Sequence, residues 1–276
     1  MIETHRSFAN RWQCDENGHI NVQFYYCWFD EAAQIFALQN GQVPATGNDL
    51  ISRHVRYYKE LHDGDGTRIS SGQIADGPFK GAIVHLLINS TTDEIAATAL
   101  DHLKAPYNAN HLIASDEANL ALPRGLASGS ISRVDSDGLL KSRQAIASNY
   151  SVVSGLDLAP NGQFITNRII SRFTDGAPHI WEHAGVTTEW LNETGNGRVA
   201  VEMKVDPVGS PNIGTALRLV SWVSEVAGKT MQVDHQLEEL ESRSVVAFGS
   251  VRCLVMNLTS RRSVELPETV KATHAA

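Results

Sequence analysis

The 276-residue chain has three cysteines, Cys14, Cys27 and Cys253, too few and too scattered for a disulfide framework or a zinc site. It has no apolar run near the ~20 residues that a membrane-spanning helix needs, and no signal-peptide apolar segment follows Met1. Positive charge is scarce: 23 Lys and Arg stand against 31 Asp and Glu, a net charge of −8, which argues against a general nucleic-acid partner. The glycine-rich turns lack a phosphate-loop or dinucleotide fingerprint, and the histidines, His179 and His183 included, show no metal-ligand spacing. The expectation is a cytoplasmic protein that uses no membrane, nucleic acid or bound metal. What is present, 42% hydrophobic and 20% charged residues, is ordinary globular composition, with enough chain to bury a sizeable core. A small anionic ligand stays compatible with the charge, because Arg6, Arg11, Arg53, Arg56 and Lys59 can supply a local basic patch.

The chain repeats itself. Asn17-Gly18 and Asn161-Gly162 stand 144 residues apart, as do Phe29-Asp-Glu31-Ala-Ala33 and Phe173-Thr-Asp175-Gly-Ala177, and Leu122-Pro123 and Leu266-Pro267. Several anchors at one offset imply two copies of one module, residues 1–127 and 140–276, joined by a Ser/Gly/Asp-rich linker over 128–139. Periodicity and turn signals predict, in copy one, a strand near 5–12, a helix near 20–39 and strands near 51–62, 67–75, 81–91 and 95–103. Copy two reads alike: a strand near 144–153, a helix near 163–183 that Gly176 and Pro178 should break or end early, and strands near 197–206, 213–224, 227–240 and 243–258. One long helix followed by an antiparallel meander is an α+β pattern, and a sheet curled around the helix requires it to be apolar almost all round.

Chemistry concentrates at the start of the first helix, in Asp15-Glu-Asn17-Gly18-His19-Ile20-Asn21-Val22. A carboxylate, two amides and an imidazole there adjoin the unpaired N–H groups of a helix N-terminus. Acyl transfer needs both parts, a base or nucleophile and donors aimed at a developing oxyanion. Read locally, Asp15, Asn17 and Asn21 are turn and cap residues and His19 is a satisfied histidine. Cys14 next door reads as a small apolar filler, and Trp181, Trp190 and Trp222 as core residues.

The segment resembles the Asp-x-x-Gly-His-x-Asn signature of hotdog-fold acyl-CoA and acyl-ACP thioesterases. Asp15, Asn17, His19 and Asn21 also match, position by position, the Asp-x-Asn-x-His-x-Asn run of the plant acyl-ACP thioesterases. The resemblance implies two tandem hotdog modules, each a long central helix wrapped by a curved, mostly antiparallel sheet. Together they would form an intrachain pseudo-dimer, open to further homo-oligomerisation. It implies Asp15 as nucleophile or general base, His19 as a group that polarises the carbonyl or protonates the thiolate, and Asn21 as an orienting residue. A Glu on the following strand joins the family's site, which points to Glu60. The backbone N–H groups of Asn17, Gly18, Ile20 and Val22 would hold the thioester oxygen. The implied reaction is hydrolysis of acyl-CoA to free acid and CoA, with no cofactor beyond the coenzyme A carried by the substrate. Two other readings share the fold: an enoyl-CoA hydratase, whose motif puts His five residues after Asp rather than four, and a non-catalytic acyl-CoA-binding module. Copy two has Ala159, Gln163, Ile165 and Lys204 at the 144-residue equivalents of Asp15, His19, Asn21 and Glu60, with Asp157 as a conceivable shifted carboxylate. The expectation is one working site, carried by copy one.

Overall fold

Two helices of the same length start from the same kind of turn in the computed structural model, which describes residues 1–15, 17–42, 50–159 and 162–270. The first half runs β1 (Ile2–Phe8), a 3-10 turn (Arg11–Gln13), α1 (Val22–Gln39), β2 (Leu50–Tyr57), β3 (Gly66–Ile74), β4 (Ile83–Asn89), β5 (Ile95–Leu103) and the short β6 (Leu112–Ile113). After α2 (Ser136–Lys141) the order recurs. It comprises β7 (Ala145–Val152), a 3-10 turn (Gly155–Asp157), α3 (Thr166–His183), the added α4 (Thr188–Thr194), β8 (Asn196–Pro207), β9 (Ala216–Ala227), β10 (Thr230–Glu239), β11 (Val245–Asn257) and β12 (Arg262–Ser263).

One sheet contains every strand of the described residues, in the order β1-β3-β4-β5-β2-β8-β11-β10-β9-β7, with β6 on β3 and β12 on β11. The order reads the same from both ends once each strand is replaced by its repeat, so the module sheets meet edge to edge at β2 and β8. The sheet is open, with β1 and β7 as its edges. At the seam His54 pairs with Lys204 and Val55 with Met203, antiparallel. This is the hotdog architecture in tandem form, both helices packed on one face and against each other.

Pairing registers fix the internal equivalences. Ile2 pairs with Ser71 and Ile146 with Ser221, and in both modules a bulge follows, at Thr4 and at Ser148. The bulged hydroxyl turns inward and binds a serine that binds a histidine: Thr4 to Ser71 at 2.6 Å and Ser71 to His85 Nδ1 at 2.6 Å, Ser148 to Ser221 at 2.6 Å and Ser221 to His235 Nδ1 at 2.7 Å. Repeats therefore stand 144 apart up to the helix and 150 apart along the strands that follow it. The six extra residues of copy two fall where α4 lies. This corrects one expected equivalence: Lys204 matches His54, and the position that matches Glu60 is Ser210.

α1 is not buried all round. Tyr26, Phe29, Ala32 and Phe36 are fully buried, yet Ile35 and Leu38 are 37% and 57% exposed, because the sheet covers one side only. α3 does not end at Gly176 or Pro178 but continues to His183. Gly176 lets the helix pass close to the sheet, since a Cβ there would stand 2.8 Å from Ser148 Oγ and 2.9 Å from Leu219 Cδ2. Beyond Pro178, Ile180 and Trp181 lie in a second core with Val186, Met231, Val233 and Val255. Burial of such side chains is worth ~1.5–3 kcal/mol each, enough to carry the helix past one missing hydrogen bond.

The linker segment, with the residues just before it, is pinned to the outer sheet face as a strap. Glu202 accepts from Arg124 N at 2.8 Å and Gly125 N at 2.6 Å, Asp206 from Ile131 N at 3.1 Å, and Gln236 from Val134 N at 3.0 Å. Ser136 donates to Glu238 at 3.0 Å, and Arg218 reaches Asp137 at 2.8 Å. These carboxylates alternate along β8 and β10 with inward apolar residues, which is how the strand period presents a polar outer face.

Candidate active site

The loop before α1 is a tight, fully specified turn. Cys14 bridges Ile20, Asp15 N donates to His19 O at 2.7 Å, and Gly18 N returns to Asp15 O at 3.0 Å. The turn requires Gly18 at φ +77°, left-handed backbone that glycine adopts without steric cost. Asp15 Oδ1 accepts from the amides of Asn17 at 2.9 Å and His19 at 3.1 Å, an orientation set entirely by local backbone. Asn21 is the helix cap, its Oδ1 accepting from Gln23 N at 3.1 Å. The side chain expected to orient His19 or a water is thus committed to the helix start.

This loop is zipped to the strand exit after β2. His19 bridges His62, and Ile20 N donates to Leu61 O at 2.8 Å. The pairing brings His19 Nε2 to 3.3 Å from Glu60 Oε2, both side chains mostly covered. His62 stands edge-on to His19, ring centroids 4.9 Å apart. Glu60 is also reached by Arg261, from the turn between β11 and β12 of the second module. Beneath lies Tyr25, whose buried phenol is pushed well above its ordinary range by burial, with the charges of Glu60, Asp15 and Asp65 adding to the shift. It stays a hydrogen-bond donor there.

Asp15, His19, Asn21 and Glu60 thus gather at one place. Of the four expected oxyanion donors, three are spent inside the protein: Asn17 N on Asp15 Oδ1, Gly18 N on Asp15 O and Ile20 N on Leu61 O. Among the described residues, Val22 N, the first amide of α1, is the expected donor not committed in this way. Cys14 is not a nucleophile in waiting, because burial and the carboxylates Asp63 and Asp15 push its thiol up. Sequence reading missed Tyr25, His62 and Arg261. Tyr25 stands one helical turn from Asn21, which is a usable signal, whereas nothing local marks Arg261.

Copy two keeps the backbone and loses the chemistry. Ala159 N donates to Gln163 O at 2.7 Å and Gly162 N to Ala159 O at 2.8 Å, the same turn without a carboxylate; Asn161 lies outside the described residues. Asp157, the conceivable shifted carboxylate, is committed to a salt bridge within the module. Its oxygens take Arg172 Nη1 and Nη2 at 2.9 Å each, and although burial alone would raise it, Arg172 and Ser154 hold its carboxyl below the usual range. Ile165 offers α3 no side-chain cap. Asp30 of α1 serves instead, accepting Asn167 N at 3.0 Å, the Thr166 hydroxyl, and Arg53 Nη1 at 2.6 Å. A carboxylate of the first module thereby occupies the anion-favouring start of the second helix.

Arg53 continues a buried polar line across the inner face, bound by two parallel bonds of 2.7 Å to Asp101, which lies 3.4 Å from His85 Nε2. Ser71, His85 and Asp101 have the order of a hydrolytic triad, but all three are at most 1% exposed and no substrate reaches them. Among the described residues no helix is long and apolar enough to cross a membrane.

Residues 153–273 match the family model of the thioesterase-like superfamily. No curated protein matches the chain in sequence. Among solved structures it is similar to an acyl-ACP thioesterase from Bacteroides thetaiotaomicron, 14% identical, covering 90% of this chain and 96% of that one with a TM-score of 0.60. It is likewise similar to the 12:0-ACP thioesterase from Umbellularia californica, 13% identical, covering 94% and 93% with a TM-score of 0.55. At such identity the likeness is one of fold.

Proposed function

We propose that this tandem hotdog chain, whose residues 153–273 match the thioesterase-like superfamily model, hydrolyses acyl-CoA thioesters at the start of α1. The reading is supported by one observation: the His19–His62 bridge brings Glu60 to His19 on the loop that carries Asp15, while the matching turn of copy two holds Ala159 and Gln163.

The chemistry follows from the positions. Asp15, steadied through Oδ1, uses Oδ2 to take a proton from water as the water adds to the thioester carbonyl carbon. The negative charge that forms on the carbonyl oxygen is met by Val22 N–H at the positive end of α1. Collapse breaks the C–S bond; His19, with Glu60 Oε2 3.3 Å from its Nε2, is placed to hand a proton to the leaving thiolate, and the proton on Asp15 leaves through solvent to restore the site. Direct attack by Asp15, through an anhydride that water then opens, uses the same groups. Val22, Phe24 and Tyr57, partly buried against the core, offer apolar surface for the acyl chain.

Release of free thiol, measured on a panel of acyl-CoA substrates and on acyl-carrier protein, tests the proposal. Thiol release supports the hydrolase, the relative rates on the two carriers assign the substrate, and Glu60→Gln should slow the best substrate at least about tenfold while the fold is kept. Enoyl-CoA consumed without thiol release would instead mark a hydratase, and binding without turnover a sensor.

A further inference from the structure

We propose that His19, Glu60 and His62 form a binding site for a divalent transition-metal ion of the zinc class, in competition with Arg261. Each offers a donor atom, and the three donors lie within 4.8 Å of one another. His19 Nε2 and Glu60 Oε2 are already 3.3 Å apart. Two ligands on tetrahedral zinc, each bonded at ~2.0–2.1 Å, stand about 3.3 Å apart, so this pair needs no rearrangement. His62 needs a small swing, and its side chain is 59% exposed and free to make it.

Two features make this more than a chance cluster. The backbones that carry the ligands are fixed to each other by the His19–His62 bridge and by Ile20 N on Leu61 O, so the spacing exists before an ion arrives. Behind His62, Asp65 accepts the His62 amide at 2.8 Å and holds its carboxylate 3.9 Å from Nδ1. A carboxylate behind a ligating imidazole fixes the ring and raises its basicity. Two imidazoles and one carboxylate suit zinc, cobalt and nickel rather than magnesium or calcium. Sequence spacing hid the set because His19 and His62 meet only through a tertiary bridge.

Arg261 is the natural competitor. Its guanidinium sits on Glu60 and is 44% exposed, so an exposed pair of modest strength is all that an ion must displace. The bound ion takes Nε2 of His19 and the carboxylate of Glu60, both needed by the proposed hydrolysis, and so excludes turnover. That consequence rests on the proposed function; the binding itself does not.

Zinc chloride titrated into the full chain, by calorimetry and with cobalt(II) as an absorbing substitute, should give one ion per chain with a tetrahedral cobalt spectrum. His62→Ala should weaken binding at least about tenfold and Asp65→Asn by about tenfold, while Arg261→Gln should tighten it. Zinc should suppress thiol release in the wild type reversibly, and far less in His62→Ala. Absence of binding, or an affinity untouched by His62→Ala in a variant with a wild-type circular dichroism spectrum, overturns the inference. Zinc binding without hydrolysis of any thioester would leave this site standing and remove the proposed function, and hydrolysis without zinc binding would do the reverse.

Discussion

Glu202→Gln should loosen the strap and lower the stability of the whole chain. The wild-type carboxylate sits at the seam of the modules, bonded to His54 of β2 and to the amides of Arg124 at 2.8 Å and Gly125 at 2.6 Å. Glutamine keeps the shape but has one acceptor oxygen. Whichever way its amide turns, an NH2 faces either Gly125 N–H or the His54 and Arg124 donors. Bonds to a charged acceptor are worth ~1.5–3 kcal/mol and an unpaired buried donor costs ~1–3 kcal/mol, while the retained oxygen offsets part. The net expectation is a loss of about 2–4 kcal/mol, a fall in Tm of roughly 5–12 °C for a chain of this size. The pH dependence has a definite sign. Burial alone would raise the Glu202 carboxyl, but His54 and the two amides outweigh it and hold the group down to about 2. Its folded value lies below its ordinary 4.5, so its stabilisation is complete above 4.5 and drains as pH falls toward 2. The gap between wild type and variant should therefore narrow below pH 4.5. Thermal melts across pH, with hydrogen exchange at the amides of 124–126, measure both effects. An unchanged Tm with unchanged protection at those amides would refute the role given to Glu202.

Two other perturbations probe the inner face. His235, stacked on Phe173 with ring centroids 4.5 Å apart, is pushed down to about 4 by burial. The unfolded chain takes a proton there below its ordinary value of 6.5 and the folded chain does not, so stability should fall between pH 6.5 and 4, by at most about 3 kcal/mol. Urea unfolding of wild type against His235→Gln isolates this slope, and equal slopes would contradict it. Asp30→Ala removes the acceptor for Arg53, Thr166 and Asn167 at once and should cost ~3–5 kcal/mol by chemical denaturation. It should create no new thiol-releasing activity, because copy two still has Ala159 and Gln163 where the base and imidazole belong.

The elements were legible where local pattern decides. The helix expected from 20 to 39 is Val22–Gln39, and the strand expected over 95–103 is Ile95–Leu103. The repeat was legible too, but one fixed offset misplaced the partner of Glu60, because the Leu122-Pro123 and Leu266-Pro267 match, still 144 apart beyond α4, hid the six-residue shift of the strands between. Gly176 and Pro178 read as helix breakers by local rules, and the contacts of Ile180 and Trp181 overrode them. The strap was illegible because its composition is that of a loop, while its anchors Glu202, Asp206 and Glu238 lie on strands far along the chain. At the site, Asp15, His19 and Asn21 announce themselves as a motif. The spending of the Asn17, Gly18 and Ile20 amides, the capping role of Asn21 and the approach of Arg261 depend on the fold of the loop and on the second module.

The central claim is that one helix start per chain works, and paired kinetics on the two starts test it most directly. Thiol release from the best acyl-CoA substrate should fall at least about a hundredfold in Asp15→Asn, which keeps shape but loses the base, and stay within a few-fold of wild type in Gln163→Ala. Wild-type turnover in Asp15→Asn, or loss of turnover in Gln163→Ala, would contradict it.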